Sequence, residues 1–139
     1  ETAPKLEACD GLVIGSPVYY ASANATFIAF LDRLFYSTHF DKTMKVGASV
    51  VSARRGGLSS TFDELNKYFA ICGMPVASGQ YWNSVHGNNG EETAKDLEGM
   101  QSMRTLASNM SFLIKSIGFG REAFGLPEKE ERIWTNFVR

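Results

Sequence analysis

The sequence predicts an α/β fold built on a parallel sheet. Short apolar runs of the kind that parallel sheets bury alternate with segments whose apolar residues recur at helical spacing. Glycine and proline separate these segments and mark the turns between them. The 139 residues are also enough to bury one hydrophobic core. This alternation of strand and helix favours strands at the centre of the molecule and helices around them.

The first elements are a helix end, a strand and an amphipathic helix. Residues 1–8 are typical of the last turns of a helix, and residues 11–15 form a continuous apolar run that predicts a buried strand. Between residues 26 and 35, apolar side chains recur three and four positions apart, which predicts a helix buried along one face. Asn24 or Ser22 is expected to cap this helix at its N-terminus.

The rest of the chain continues the alternation. Residues 44–51 predict a second strand, residues 58–72 a helix, and residues 76–81 a third strand. Residues 91–117 predict one long helix. We therefore expect one α/β unit over residues 1–117. A C-terminal tail follows over residues 118–139, with apolar side chains at Phe124, Ile133, Trp134, Phe137 and Val138.

Composition excludes several classes of function. The net charge is −1, which favours neither nucleic acid nor an acidic membrane surface as a partner, and no apolar run approaches the length of a membrane span. Cys9 and Cys72 are isolated and predict buried thiols in a reducing compartment. His39 and His86 have no neighbour at metal-ligand spacing, so no metal site is expected. These features predict a cytoplasmic protein.

The loops after the three predicted strands are the expected ligand site. They cover residues 16–22, 52–57 and 82–90. Because the carboxyl ends of parallel strands meet at one edge of a sheet, we expect these loops to lie together.

The residue types in these loops suit a flat heterocycle that becomes anionic when it is reduced. Tyr19 and Tyr20 offer aromatic faces, Arg54 and Arg55 offer a cationic edge, and His86 follows the third strand. Structural interpretations stay open at this point. The tyrosines could equally cover the end of the sheet. The arginines could be solvated surface charges, and the histidine could be an ordinary exposed side chain.

Two segments resemble a known family. "DGLVIGSPVYYASANATFIAFLDRLF" resembles a strand, flavin loop and helix of the flavodoxin-like NADPH-dependent FMN reductase superfamily, which includes iron-sulfur flavoproteins and WrbA-like quinone reductases. "QYWNSVHGNNGEE" is similar to a later strand and loop of the same proteins. The resemblance covers roughly residues 8–117. It implies a flavodoxin-like three-layer sandwich with a parallel sheet that lacks the first two strands. The loop that holds the FMN phosphate in the family would then precede residue 1.

The resemblance also implies which residues bind the cofactor. The loop along the flavin ring would be Ser16, Pro17, Val18, Tyr19, Tyr20, Ala21 and Ser22. The loop beside its pyrimidine edge would be Ser52, Ala53, Arg54, Arg55, Gly56 and Gly57. Asn83 and His86 would lie near the rim, where the nicotinamide or an electron acceptor enters. The resemblance implies FMN as the cofactor, with no catalytic side chain required.

The function implied is hydride transfer from NADPH or NADH, through flavin N5, to a quinone or another small electron acceptor. A flavodoxin-like electron carrier and a cofactor-free α/β interaction module are the alternatives. The basic residues at the predicted site favour the reductase, because flavodoxins usually present an acidic docking surface. The family implies a homodimer or homotetramer. The tail suits a subunit contact, and it equally suits packing against its own domain.

Overall fold

The computed structural model describes residues 1–137 and has helices on both faces of a three-stranded sheet. The elements in chain order are α1 (Thr2–Ala8), β1 (Gly11–Pro17), α2 (Ala25–Ser37), β2 (Val46–Ala53), α3 (Leu58–Ile71), β3 (Ser84–His86), α4 (Gly90–Thr93) and α5 (Leu97–Phe124). Val138, predicted as an apolar residue of the tail, lies outside the described residues.

The sheet is parallel throughout, with strand order β1-β2-β3. Gly11 pairs with Val46 at the start of the ladder between β1 and β2, and Pro17 pairs with Ser52 at its end. Within residues 1–137, β1 has a strand partner on one side only. The predicted α/β class and parallel sheet are confirmed.

Two hydrophobic clusters give the molecule its layers. On one face, α2 and α3 pack against the sheet through Ile14, Leu31, Val51, Leu65 and Phe69. On the other face, α5 packs through Leu106 against Val46, Ala48 and Ala77. Both faces of the central strand β2 are therefore buried, as its apolar sequence predicts.

A glycine in β2 permits the tightest of these packings. Phe69 on α3 is fully buried, and a Cβ atom added at Gly47 would overlap the Phe69 ring. The ring thus occupies the space that any larger residue at position 47 would need.

Helix α2 confirms the predicted amphipathic helix and its cap. The Asn24 side chain accepts a hydrogen bond from the Phe27 backbone N–H at 3.1 Å, which satisfies one of the free donors of the first turn. Leu31 and Leu34 are buried, and Asp32 lies on the exposed face.

The predicted third strand over residues 76–81 is wrong in position. Val76 makes one isolated bridge to Gly47, and the regular strand is β3, at Ser84–His86. Between Val76 and β3 the chain leaves the sheet. It rejoins β2 at Asn83, whose carbonyl accepts a hydrogen bond from the Val51 N–H at 3.0 Å. The aromatic and β-branched residues of this segment suggested a continuous strand, although Tyr81 is exposed.

The predicted long helix over residues 91–117 is also wrong in its bounds. A turn separates α4 from α5, because the Asp96 side chain accepts a hydrogen bond from the Gly99 N–H at 2.9 Å and begins a new helix. Helix α5 then continues to Phe124 and ends at Gly125, whose φ is 78°. The division into a main unit and a tail stays a prediction. No helix within residues 1–137 has both the length and the apolar character of a membrane span.

Candidate functional site

The loop after β1 contains a tight turn in an unusual conformation. Tyr19 and Ser22 exchange two backbone hydrogen bonds, at 2.9 and 3.1 Å. The two residues between them are left-handed, with φ of 51° at Tyr20 and 60° at Ala21. Such values are uncommon for residues other than glycine and store on the order of 1–3 kcal/mol each, typically at functional sites. The Tyr20 side chain is fully exposed at the tip of this turn.

Polar contacts from inside the domain fix this first loop. Glu64 on α3 accepts hydrogen bonds from Ser22 Oγ at 2.8 Å and from the Ala23 N–H at 2.9 Å. Ser16 Oγ accepts from the Asn24 N–H at 2.9 Å and is buried. The side chains of Ser16 and Ser22 therefore shape the loop.

The loop after β2 packs directly against the first loop. Gly57 has a φ of 85°, and a Cβ atom there would lie 2.8 Å from both Ala21 Cα and Val18 Cγ1. Val18 N–H donates to the Ser52 carbonyl at 2.9 Å, and Ser60 Oγ donates to the Ala21 carbonyl at 2.8 Å. The two loops form one unit, as predicted from their positions at neighbouring strand ends.

This unit exposes backbone donors and positive charge. The backbone N–H groups of Tyr20, Ala21, Arg54, Arg55 and Gly56 have no acceptor within residues 1–137, and all five residues are exposed. The two arginine side chains also make no hydrogen bond or ion pair in this part of the chain. The surface therefore offers donors and cations to a polar, electron-rich edge of a ligand.

Asn83 does not lie at the rim of the site, which corrects the prediction. Its side chain is 1% exposed. The amide oxygen accepts from the Gly79 N–H at 3.0 Å, and the amide nitrogen donates to the Ala77 carbonyl at 3.4 Å. Asn83 instead holds the loop that interrupts the sheet before β3, because a buried amide requires partners for its polar atoms.

His86 lies at the end of β3 beside a carboxylate. Asp96 Oδ2 accepts from the His86 backbone N–H at 2.7 Å and lies 3.6 Å from its ring Nδ1. The imidazole is half exposed and lines a cavity of about 210 Å³. Tyr81 and Trp82 line the same cavity, with ring centroids 4.9 Å apart. This cavity thus combines aromatic faces with an oriented imidazole.

Hydrogen bonds to its charged form lower the pKa of Asp96. The largest cause is the Gly99 backbone N–H, followed by the backbone N–H of His86. The pKa of this carboxyl is therefore lower in the folded state than in the unfolded state. Such a group stabilises the fold at pH values above its pKa in the unfolded state. That contribution is lost as the pH falls through the folded value.

We expect the Asp96→Asn variant to lose less unfolding free energy than the wild-type chain when the pH falls below about 4. The asparagine still accepts the cap hydrogen bond and carries no charge to titrate. Urea unfolding at pH 7 and at pH 3 measures the difference in unfolding free energy between the two pH values. The matched control is Glu98→Gln, an exposed carboxylate that lines the same cavity. An unchanged pH dependence in Asp96→Asn would contradict the assignment.

Three residues of the site were missed in the sequence prediction. Glu64 is distant in sequence from the loop after β1 that it holds, so no local pattern connects the two. Tyr81 was assigned to a strand. Asp96, in contrast, directly precedes the apolar period of α5, and an aspartate at that position is an N-cap signal that the sequence alone provides.

Comparison with known proteins identifies the family. Residues 1–89 match the model of the family described as NADPH-dependent FMN reductase. The chain belongs to this family. An iron-sulfur flavoprotein of Methanosarcina thermophila is 30% identical over 123 residues, which cover 85% of this chain and 63% of that protein. The iron-sulfur flavoprotein MJ1083 of Methanocaldococcus jannaschii is 27% identical over 125 residues, covering 84% and 65%.

A solved structure supports the fold. The crystal structure of the flavodoxin, WrbA-like protein from Agrobacterium tumefaciens has a TM-score of 0.63 and 18% identity, and the match covers 81% of this chain and 71% of that one. This FMN reductase family chain therefore has the predicted flavodoxin-like fold. It spans 63–65% of the length of the two iron-sulfur flavoproteins.

Proposed function

We propose that this chain binds the ring system of FMN at the unit formed by the loops after β1 and β2. The protein would act as an NAD(P)H-dependent oxidoreductase. The observation that carries the proposal is the set of unpaired, exposed backbone donors in these loops. They lie beside two arginines at the carboxyl end of the sheet, in a member of the FMN reductase family. Bound FMN supplies hydride transfer between NADPH or NADH and a quinone or another small electron acceptor.

Each part of the proposed site has a distinct role. The N–H groups of Tyr20, Ala21 and Gly56 would donate hydrogen bonds to polar edges of the ring. Arg54 and Arg55 would stabilise negative charge on the reduced ring, since a nearby cation favours the charged form. The exposed faces of Tyr19 and Tyr20 would cover the ring.

The third loop borders the proposed site. Ala53 pairs with His86 at the end of the sheet, so the cavity beside His86 lies next to the arginine loop. Asp96 would orient the imidazole, and Tyr81 and Trp82 would offer flat surfaces to the nicotinamide or the electron acceptor.

The double substitution Arg54→Gln/Arg55→Gln is expected to lower the midpoint potential of bound FMN by about 20 mV, because about 1 kcal/mol of charge stabilisation is lost from the reduced anion. Spectroelectrochemistry measures the potential, and quenching of FMN fluorescence measures affinity. Arg104→Gln, on the exposed face of α5, is the matched control. An unchanged potential in the double variant would refute the electrostatic role of the arginines.

The experiment that tests the proposed function combines FMN titration with turnover of NADPH or NADH in the presence of a soluble quinone. Binding together with turnover is the expected result. FMN binding without turnover would favour the electron carrier, and no binding even at excess FMN would favour the cofactor-free interaction module.

A further inference from the structure

The cavity beside His86 contains a nearly buried hydroxyl without a partner. Ser102 on α5 lines this cavity and is 2% exposed. Its hydroxyl makes no hydrogen bond within residues 1–137, and the oxygen keeps some accessible surface. Buried polar groups in proteins are normally hydrogen-bonded, because losing water without gaining a partner is unfavourable. The hydroxyl is therefore available to a polar group of a ligand in the cavity.

A free carboxylate lies one helical turn before this serine. Glu98 lines the same cavity, is exposed, and makes no hydrogen bond or ion pair within residues 1–137. Glu98 and Ser102 are four positions apart on α5, so they share one face of the helix with about 5–6 Å between their Cβ atoms. A single ligand ring can thus contact both side chains.

The lining of the cavity carries net negative charge. Its carboxylates are Asp96 and Glu98, and no lysine or arginine lines it in the part of the chain that the structure describes. Protonation of the His86 imidazole would offset the charge of Asp96, whose Oδ2 lies 3.6 Å from the ring Nδ1, and the charge of Glu98 would remain. The cavity therefore favours a cation over an anion.

Two exposed aromatic rings form the wall of the cavity. Tyr81 and Trp82 are 61% and 54% exposed, and their ring planes differ by 51°. The face of such a ring attracts a cation. Sites for drug-sized ligands measure about 300–1,000 Å³. The cavity, at about 210 Å³, instead suits one small planar ring.

We propose that this cavity binds a planar aromatic cation, the N-alkylpyridinium ring of an oxidised nicotinamide. Glu98 lies beside the positive charge, and the Ser102 hydroxyl donates a hydrogen bond to the carboxamide oxygen. When the C4–H bond of NADPH or NADH breaks, the hydrogen leaves with both bonding electrons for flavin N5, and the nicotinamide ring remains as this cation. Glu98 thus faces the positive charge that the transfer creates, while Arg54 and Arg55 face the negative charge.

The proposal has two parts that can fail separately. Assignment of the cation to the hydride donor rests on the proposed function. Binding of the cation itself requires only the cavity, so it can be measured in the full chain without FMN.

Quenching of Trp82 fluorescence tests the site. A Trp134→Phe background leaves Trp82 as the one tryptophan of the chain. Three probes differ in one property each: 1-methylnicotinamide has both the charge and the carboxamide, nicotinamide lacks the charge, and 1-methylpyridinium lacks the carboxamide. We expect saturable quenching by 1-methylnicotinamide, with a Kd about fivefold below that of either other probe.

Two variants separate the two contacts. Glu98→Gln should weaken binding of 1-methylnicotinamide about fivefold and leave that of nicotinamide unchanged, because only the cation interacts with the charge of the carboxylate. Ser102→Ala should weaken binding of both carboxamide probes about fivefold and leave that of 1-methylpyridinium unchanged. Glu122→Gln and Ser108→Ala, at exposed positions further along α5, are the matched controls.

Three outcomes would overturn the assignment. Quenching that rises linearly with 1-methylnicotinamide and never saturates would show collision with an exposed ring instead of binding. Equal affinities for 1-methylnicotinamide and nicotinamide would show that the cavity does not select a cation. An equal effect of Ser102→Ala on all three probes would remove the contact with the carboxamide. Because no measurement uses FMN, any of these results leaves the proposed flavin site intact, and a chain that fails to bind FMN can still bind the cation.

Discussion

Replacing Gly57 with alanine is expected to weaken FMN binding about tenfold, the equivalent of one net hydrogen bond. The new Cβ atom would lie 2.8 Å from Ala21 Cα and from Val18 Cγ1, so the loop after β1 has to move away from the loop after β2. The backbone donors of the two loops then no longer lie at the spacing that one ring requires. The left-handed φ of 85° adds about 1–2 kcal/mol of strain.

A glycine outside the two loops provides the control. A Cβ atom at Gly118, on α5, meets nothing within 4 Å, so Gly118→Ala should bind FMN within about twofold of the wild-type chain. FMN fluorescence quenching gives both affinities, and circular dichroism shows whether each variant is folded. A folded Gly57→Ala variant with wild-type affinity would show that the two loops do not bind the ring as one unit.

A substitution in β2 should have the largest effect on stability. We expect Gly47→Ala to lower the free energy of unfolding by about 3 kcal/mol, because the added methyl group overlaps the fully buried ring of Phe69. Urea unfolding followed by circular dichroism measures the change. In Gly15→Ala, on the adjacent strand, the Cβ atom meets only the Val50 carbonyl oxygen, at an ordinary 3.5 Å. That control should stay within about 0.5 kcal/mol of the wild-type chain.

A double variant tests the cause of the instability. If the Phe69 ring is the obstacle, Phe69→Leu combined with Gly47→Ala should be about 1 kcal/mol more stable than the sum of the two single effects predicts. If the changes in unfolding free energy of the two single variants add up exactly in the double variant, the instability of Gly47→Ala does not come from the Phe69 ring.

The elements that depend on local patterns were predictable from the sequence. Helix α2 combines a regular apolar period with an asparagine cap, and both signals lie within a few residues of the helix they define. β1 and β2 are both continuous apolar runs, although helices cover both faces of β2 only and Val13 of β1 is exposed. The positions of the first two loops then followed from the ends of those strands.

The elements that depend on distant contacts were not predictable. The sheet is interrupted before β3 because the buried amide of Asn83 binds the backbone at Ala77 and Gly79, and residue type alone does not show whether an asparagine is buried. Likewise, Glu64 reaches the first loop from α3, so only the folded chain brings carboxylate and loop together. The long helix was predicted to begin at Glu91 because the acidic pair Glu91 and Glu92 suits a helix N-terminus, whereas the apolar period begins only at Leu97, where α5 starts.

The one-sided pairing of β1 has a consequence for the behaviour of this chain in solution. Residues Gly11–Pro17 contain no charged side chain, although charge is a common protection of an edge strand, and Val13 is 54% exposed. Pro17 lacks a backbone donor but lies at the last position of the strand. The strand is therefore a template for strand addition, and the chain's solubility depends on what covers this edge. A lysine at position 13 would discourage such aggregation without altering the loops at the other end of the strand.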